Sequence, residues 1–354
     1  MRGSCDVHWS GQRPPQRLEG LQACRMIAAI GVVLFHANNF VLPLRLYDGA
    51  MVWRGFGMGY AGVEFFFVLS GFIIAHIHAA DFSRPERARR FLRKRFLRIY
   101  PPYWIVLSGL VLLYAAADGL VDEDRLAPSA LLRDFLLLPA PQGPLLPVAW
   151  TLKHEILFYM LFLLFIIAFE IGLGLFTIWM IGTLVQMVSP SSWYPMEFLF
   201  SPYNVLFVIG VLVAGCYRRL PAGGTWPLII AGSTGFLLVG LSEQYLVVWP
   251  LPLRCLAYGI VAAAVIAALA RARTTAPAWC VFLGNASYAI YLIHLPAMNI
   301  LAVPMAMLGL QVWMPPLATL FLLTAFAVVL GALFHQMVER RLLAALSAPR
   351  RKGL

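Results

Sequence analysis

Stretches of about 20 residues with few or no charges recur from residue 24 to the end of the chain. Each is long enough to cross a hydrocarbon core ~30 Å thick as a helix. Ten such stretches are read: 24–43, 59–79, 101–118, 149–169, 171–189, 203–217, 226–242, 251–270, 280–300 and 316–338. The composition agrees, with 61% hydrophobic and 12% charged residues against roughly 45–50% and 25% in a soluble domain. The expected fold is all-α, a polytopic transmembrane helical bundle. Segment 130–140 is too short to span and carries Arg133 and Asp134, so it is placed at the interface. Segment 301–315 is read as a re-entrant turn or an extension of span nine.

The net charge of +11 would suggest a nucleic-acid partner in a soluble chain. Here it reports topology, and no nucleic acid is expected. With the N-terminus in the cytoplasm, that side collects Arg2, Arg13, Arg17, Arg25, the run at 84–98, Arg218, Arg219, Arg271, Arg273, Arg340, Arg341, Arg350, Arg351 and Lys352. The opposite side keeps only Arg45, Arg54, Arg125, Arg133, Lys153 and Arg254. The positive-inside rule therefore puts both termini in the cytoplasm, as an even number of spans requires. The first 20 residues lack the apolar core of a cleavable signal, so the first span is expected to direct insertion. Residues 1–23 are read as a cytoplasmic segment, 24–342 as one integral membrane domain and 343–354 as a short basic tail. Chemistry, if any, is done within or at the membrane.

Cys5, Cys24, Cys216, Cys255 and Cys280 show no metal or disulfide spacing, so no metal site is expected. HExxH begins at His154 and Glu155, but Phe158 stands where its second histidine would be. GFGMG at 55–59 lies in a loop outside any strand–helix unit, and neither GxSxG nor a Walker A run occurs. These absences leave the ionisable residues within spans as the functional candidates, because lipid makes each of them costly.

Those residues are Arg25, His36, Glu64, Glu155 and His294. Eleven residues separate Arg25 from His36, which puts both within roughly 20° on one helix face and about 16 Å apart along it. Arg25 alone reads as a snorkelling cation. His36, Glu64 and Glu155 fall at similar depth, and a carboxylate beside an imidazole prepares it as a general base. Glu155 is the stronger partner, within the polar cluster Trp150, Thr151, Lys153, His154, Glu155; Glu64 is read as orienting helices or His36. The alternative is a hydrogen-bond network that only holds helices together. His294 is read as structural, and His76, His78 and His335 as interfacial anchors. The run RRFLRKRFLRIYPPYW from Arg89 binds anionic lipid or, through Arg95 and Arg98 on one helix face, a phosphate-rich ligand.

LQACRMIAAIGVVLFHANNF, GVEFFFVLSGFII, FLRKRFLRIYPPYW, VAWTLKHEILFY, LGNASYAIYLIHLP and HQMVERRL stand in that order along nearly the whole chain. Together they resemble the acyltransferase-3 family of membrane acyltransferases, and the opening block resembles its exopolysaccharide O-acetyltransferase branch. The resemblance implies transfer of an acyl group, usually acetyl from acetyl-CoA as co-substrate, to a sugar hydroxyl of a surface polysaccharide or lipid-linked glycan. It implies no permanently bound cofactor, a bacterial-type inner membrane location, and either a homo-oligomer or a polysaccharide-assembly complex. Carried over motif by motif, Arg25 and His36 are the essential pair, Arg95 and Arg98 the arginines of the basic motif, and Glu155 the acid of WTLxxE. The chain departs from the pattern at Ala23 and Cys24, where LRG or LRA is usual, and lacks the extracytoplasmic hydrolase-like domain of some relatives.

The expected mechanism has acetyl-CoA entering from the cytoplasm, its phosphates on Arg95, Arg98 and Arg25, with His36 deprotonating the sugar hydroxyl. An acyl-His intermediate is the other route; Lys153, Ser70, Tyr159 and Trp150 are the candidate oxyanion donors. The competing class is a transporter or flippase, which also places charge at mid-membrane; a structural subunit is a third reading.

Overall fold

The computed structural model describes residues 18–116 and 122–347, and among these all regular structure is helical. Arg2, Cys5, Arg13, Arg17, positions 117–118 of the third predicted span, and Arg350, Arg351 and Lys352 lie outside the described residues. Among the described residues, ten helices are long and apolar enough to cross a membrane: α1 (Glu19–Arg45), α2 (Arg54–Asp81), α3 (Pro85–Ala116), α4 (Pro147–Ile167), α5 (Phe169–Val188), α6 (Tyr194–Arg219), α7 (Thr225–Tyr245), α8 (Leu251–Ala272), α9 (Ala278–Met307) and α10 (Pro316–Leu346). The protein is thus a multi-pass helical membrane protein, with the predicted number of spans.

Several boundaries differ from the sequence reading, and two of them, at α3 and α9, have a clear physical reason. The third span was read from residue 101, yet its helix begins before the basic run and passes through Pro101 and Pro102. Hydropathy registers where lipid ends, whereas Arg, Lys and Leu continue a helix beyond it. Segment 301–315 divides: α9 continues to Met307, and Gly309, with φ of 66°, supplies the left-handed residue that stops it. Segment 130–140 holds a short helix, Pro128–Phe135, tied to α3. The hydroxyl of Tyr103 donates to Asp134 O at 2.7 Å, Trp104 Nε1 to Phe135 O at 2.8 Å, and the hydroxyl of Tyr100 to Leu136 O at 3.1 Å. Phe135 O and Leu136 O are among the carbonyls that the end of a short helix leaves without helical partners, and Asp134 O accepts from Leu137 N–H as well as from Tyr103.

α2 is the central helix, with 67% of its apolar stretch buried against 22% for α5 and 17% for α7. It crosses α6 closely. A Cβ added at Gly71 would lie 2.1 Å from Phe207 O, and one at Gly210 would lie 2.0 Å from Val68 O. Small residues here let the two backbones meet, as contacts between membrane helices require. A rank of aromatic rings fills the core beside this crossing, Phe67 against Phe207 at 4.7 Å and Phe207 against Phe158 at 4.6 Å between centroids.

α1 lies against α9 and the start of α2. At Gly284 an added Cβ would come 2.1 Å from Gln22 O, so α9 approaches α1 backbone to backbone one turn from Arg25. Beyond His36, α1 loosens into a π-helical turn over Ala37–Val41, in which Leu42 N–H bonds Ala37 O. Such turns mark functional sites in many helices. Buried Asn38, within this turn, accepts from Val52 and Trp53 N–H and fixes the α1–α2 connection. The cations of the α2–α3 connection, Arg218, Arg271 and Arg340 gather at one end of the bundle, where α1 begins and α10 ends; Arg271 bonds Leu220 O and Arg93 bonds Leu346 O.

Candidate active site

A cleft opens at this arginine-rich end. Its outer part, of about 890 Å³, is bounded by Glu19, Lys94, Leu97, Asn285, His335, Glu339 and Arg340, together with Arg25, Arg95, Arg98 and Tyr288. That volume lies within the ~300–1,000 Å³ of small-molecule and cofactor sites. Arg25, Arg95, Arg98 and Tyr288 also line a narrower inner cavity of about 90 Å³, whose wall includes Val63, Phe66, Ser70, Thr151, Glu155, Tyr159, Ser287 and Tyr291. These four shared residues form the throat between the two spaces.

The three arginines differ in what holds them. Arg25 is buried and donates Nε and Nη2 to Ser287 Oγ, at 3.2 and 2.9 Å. Arg95 stacks over Phe91 and Tyr159, 5.7 and 5.6 Å from the ring centroids, and its Nε is buried with no hydrogen-bond partner. Among the described residues, neither Arg95 nor Arg98 is hydrogen-bonded through its guanidinium to protein. Glu155 and Glu339 are the carboxylates whose charge reaches Arg25 and Arg98. Glu339 is held by His335, whose Nδ1 lies 2.6 Å from its Oε2. The mouth is therefore cationic with unused donor forks, the arrangement that receives a phosphate-bearing anion.

Glu155 stands deeper. It accepts a short hydrogen bond from the Tyr159 hydroxyl and one from Ser70 Oγ at 3.3 Å. Of the two roles read for Glu64, orienting helices or orienting His36, the structure brings it to another helix and not to His36. It is 1% exposed and pairs with Arg254 at 3.4 Å. Arg254 also donates to the Tyr203 hydroxyl at 2.7 Å and stacks over Tyr60 at 4.7 Å, while Tyr60 and Tyr258 both donate to Glu243. This network joins α2, α6, α7 and α8, so Glu64 braces helices.

His36 is half-buried, and among the described residues neither carboxylate bonds it. Its Nδ1 instead lies 2.9 Å from Val32 O and 3.1 Å from Nε2 of His294, a fully buried residue read above as structural. The imidazole does not line the inner cavity; Tyr291 intervenes, with its ring in the cavity wall and its centroid 5.8 Å from that of His294. The sequence signal that pointed to His36, an imidazole within a span, applied equally to His294. Ser287 offered no such signal, because a serine in a span is ordinary. Of the candidate oxyanion donors, Ser70 and Tyr159 line the inner cavity, while Lys153 and Trp150 do not.

Fold and cleft define a multi-pass membrane protein with a buried cavity that opens at its arginine-rich end. The chain belongs to the acyltransferase-3 family, since the family described as an acyltransferase domain matches residues 18–335. It is similar to the exopolysaccharide production protein ExoZ of Rhizobium meliloti (strain 1021), 29% identical over 309 residues that cover 81% of this chain and 90% of that protein. It is similar as well to protein 2 in the picA locus of Rhizobium radiobacter, 32% identical over 41% of this chain and 80% of that protein. The acyltransferase MdmB of Streptomyces mycarofaciens is 29% identical over 42% of this chain and 40% of its own length. No solved structure matches. The protein is a membrane acyltransferase, which decides against the transporter and structural-subunit readings.

Proposed function

We propose that the enzyme transfers an acyl group, acetyl first among them, from acyl-CoA to a hydroxyl of a surface polysaccharide or lipid-linked glycan. The observation that carries the donor is the pair Arg95 and Arg98, held at the throat without protein hydrogen bonds to their guanidinium groups. Their forks suit the phosphates of a nucleotide carrier, and the arginine-rich end is the cytoplasmic one by the positive-inside rule. The inner membrane of a bacterial-type cell follows from that orientation and from cytoplasmic acyl-CoA. The acceptor rests on the printed name of the Rhizobium meliloti relative, an exopolysaccharide production protein.

In the proposed reaction the phosphates stay in the outer cleft on Arg95, Arg98 and Arg25, and the pantetheine arm passes Tyr288 and Glu155 and continues beyond Tyr291 to His36. His36 takes the proton from the acceptor hydroxyl as its oxygen attacks the thioester carbonyl. The carbon–sulfur bond breaks, and the imidazolium returns the proton to the departing thiolate. Glu155 takes the hydrogens of both the Ser70 and the Tyr159 hydroxyls, so these three form a wall of the passage, and Glu64 acts only by bracing α2 against α8.

The test is calorimetric titration of the purified protein in nanodiscs with acetyl-CoA and with free CoA, beside an Arg95→Ala, Arg98→Ala double variant. Saturable binding that the double variant weakens by on the order of 10²-fold supports the clamp, two lost charge-assisted contacts being worth about 3 kcal/mol. A folded wild-type protein that binds neither ligand would falsify the donor assignment.

A further inference from the structure

We infer that His294 is a positioning residue that fixes the tautomer of His36, leaving Nε2 of His36 as the nitrogen that accepts a proton. The inference rests on the proposed role of His36 as base, and its geometry is independent of the substrate.

The assignment follows from which groups are able to donate. His294 Nδ1 lies 2.7 Å from Tyr291 O, and a carbonyl only accepts, so Nδ1 carries the hydrogen. In a neutral imidazole Nε2 is then a bare lone pair. That lone pair faces His36 Nδ1 at 3.1 Å, which must therefore be the donor. The second neighbour of His36 Nδ1 is Val32 O at 2.9 Å, again an acceptor only. Two contacts from different helices thus demand the same proton on His36 Nδ1. Its Nε2 is left unprotonated, and no described residue hydrogen-bonds it.

A catalytic histidine is commonly set by a carboxylate, which also stabilises the imidazolium. Here a second, neutral imidazole sets the tautomer without adding an ionised group within the membrane, where such a group is costly. His294 is 0% exposed, so its only route to the chemistry is through His36. Tyr291 connects this pair to the cavity. Its carbonyl orients His294, while its hydroxyl lies 3.0 Å from Thr151 Oγ1 in the inner cavity wall.

The experiment uses the full chain in nanodiscs, labelled with ¹⁵N-histidine, with His36→Ala identifying the His36 signals. His294→Phe keeps a ring without an acceptor; His294→Gln restores an acceptor oxygen at a similar reach. In the wild type and the Gln variant, His36 should show a protonated Nδ1 and a pyridine-like Nε2, and in the Phe variant, where Val32 O alone holds the proton, a mixture of tautomers; an unmixed wild-type tautomer there would make Val32 the residue that sets it and overturn the inference. Steady-state transfer should lose on the order of 10²-fold in kcat in the Phe variant with KM for the acyl donor unchanged, the Gln variant recovering most of it. A proton on Nε2 of His36 in the wild type overturns the inference, as does equal loss in the Phe and Gln variants. Wild-type kcat in the Phe variant overturns it too. If the Phe variant does not fold, the wild-type tautomer decides. A wild type that shows the expected tautomer but transfers no acyl group would count against the proposed function and leave the tautomer assignment standing.

Discussion

Arg25 gives both Nε and Nη2 to one acceptor, the hydroxyl oxygen of Ser287, and so joins α1 to α9 at the narrowest point of the cleft. A guanidinium held this way presents its remaining N–H groups in one direction. Ser287→Ala should leave the fold intact and weaken acyl-CoA binding about tenfold, since hydrogen bonds to charged groups contribute roughly 1.5–3 kcal/mol. Titration calorimetry measures this directly, and an unchanged Kd would mean that packing alone orients Arg25.

Gly284 makes that bond possible by letting α9 approach Gln22. Gly284→Ala places a methyl 2.1 Å from a backbone oxygen, which only separation of the helices relieves. The melting temperature and the affinity for the acyl donor should fall together. Gly109→Ala on α3, where nothing lies within 4 Å, is the control and should not lower stability.

The Glu64–Arg254 pair is buried at one partner and partly exposed at the other, 1% and 23%. Removing one member of a buried pair leaves an uncompensated charge and costs about 3–5 kcal/mol. Arg254→Leu should therefore lower the unfolding temperature more than the Arg254→Leu, Glu64→Leu double variant. Additive losses in a thermal denaturation cycle would show that the two charges are not coupled.

Glu155→Gln keeps the shape of the side chain and removes its charge from beside the arginines. Acyl transfer should fall at least ~10-fold, because the Ser70 and Tyr159 hydroxyls lose the carboxylate that holds them in the passage wall, with donor affinity unchanged or increased. Comparing kcat with Kd for the donor separates the two, and a loss confined to Kd would place Glu155 in binding alone.

Much of this architecture was legible in one sequence, because lipid imposes length and apolarity on every span and punishes stray charge. The ten spans and the cleft positions of Arg25, Arg95, Arg98 and Glu155 follow from those constraints together with the family resemblance. Pairing between distant helices does not follow. Nothing local to Glu64 marks Arg254 as its partner, and Arg254 reads as one more cation near a span end. Equal depth suggested Glu155 beside His36; depth, however, fixes height along a helix and says little about which face meets which. The rotation of α9 relative to α1 decides that His294 takes the place, and this rotation depends on close packing at Gly284.

The break in α3 bears on what holds the arginines at the cleft. Pro101 and Pro102 have no N–H, so the carbonyls of Leu97 and Arg98 lack their usual partners one turn ahead. The arginine-bearing segment is joined to the rest of its helix by two fewer rungs than an unbroken helix would have. Beyond the prolines, Tyr103 and Trp104 are anchored to the short helix at 128–135. Just before the break, the Tyr288 hydroxyl on α9 donates to Ile99 O at 2.8 Å, so the far wall of the cleft holds the arginine-bearing turn where its own helix holds it least.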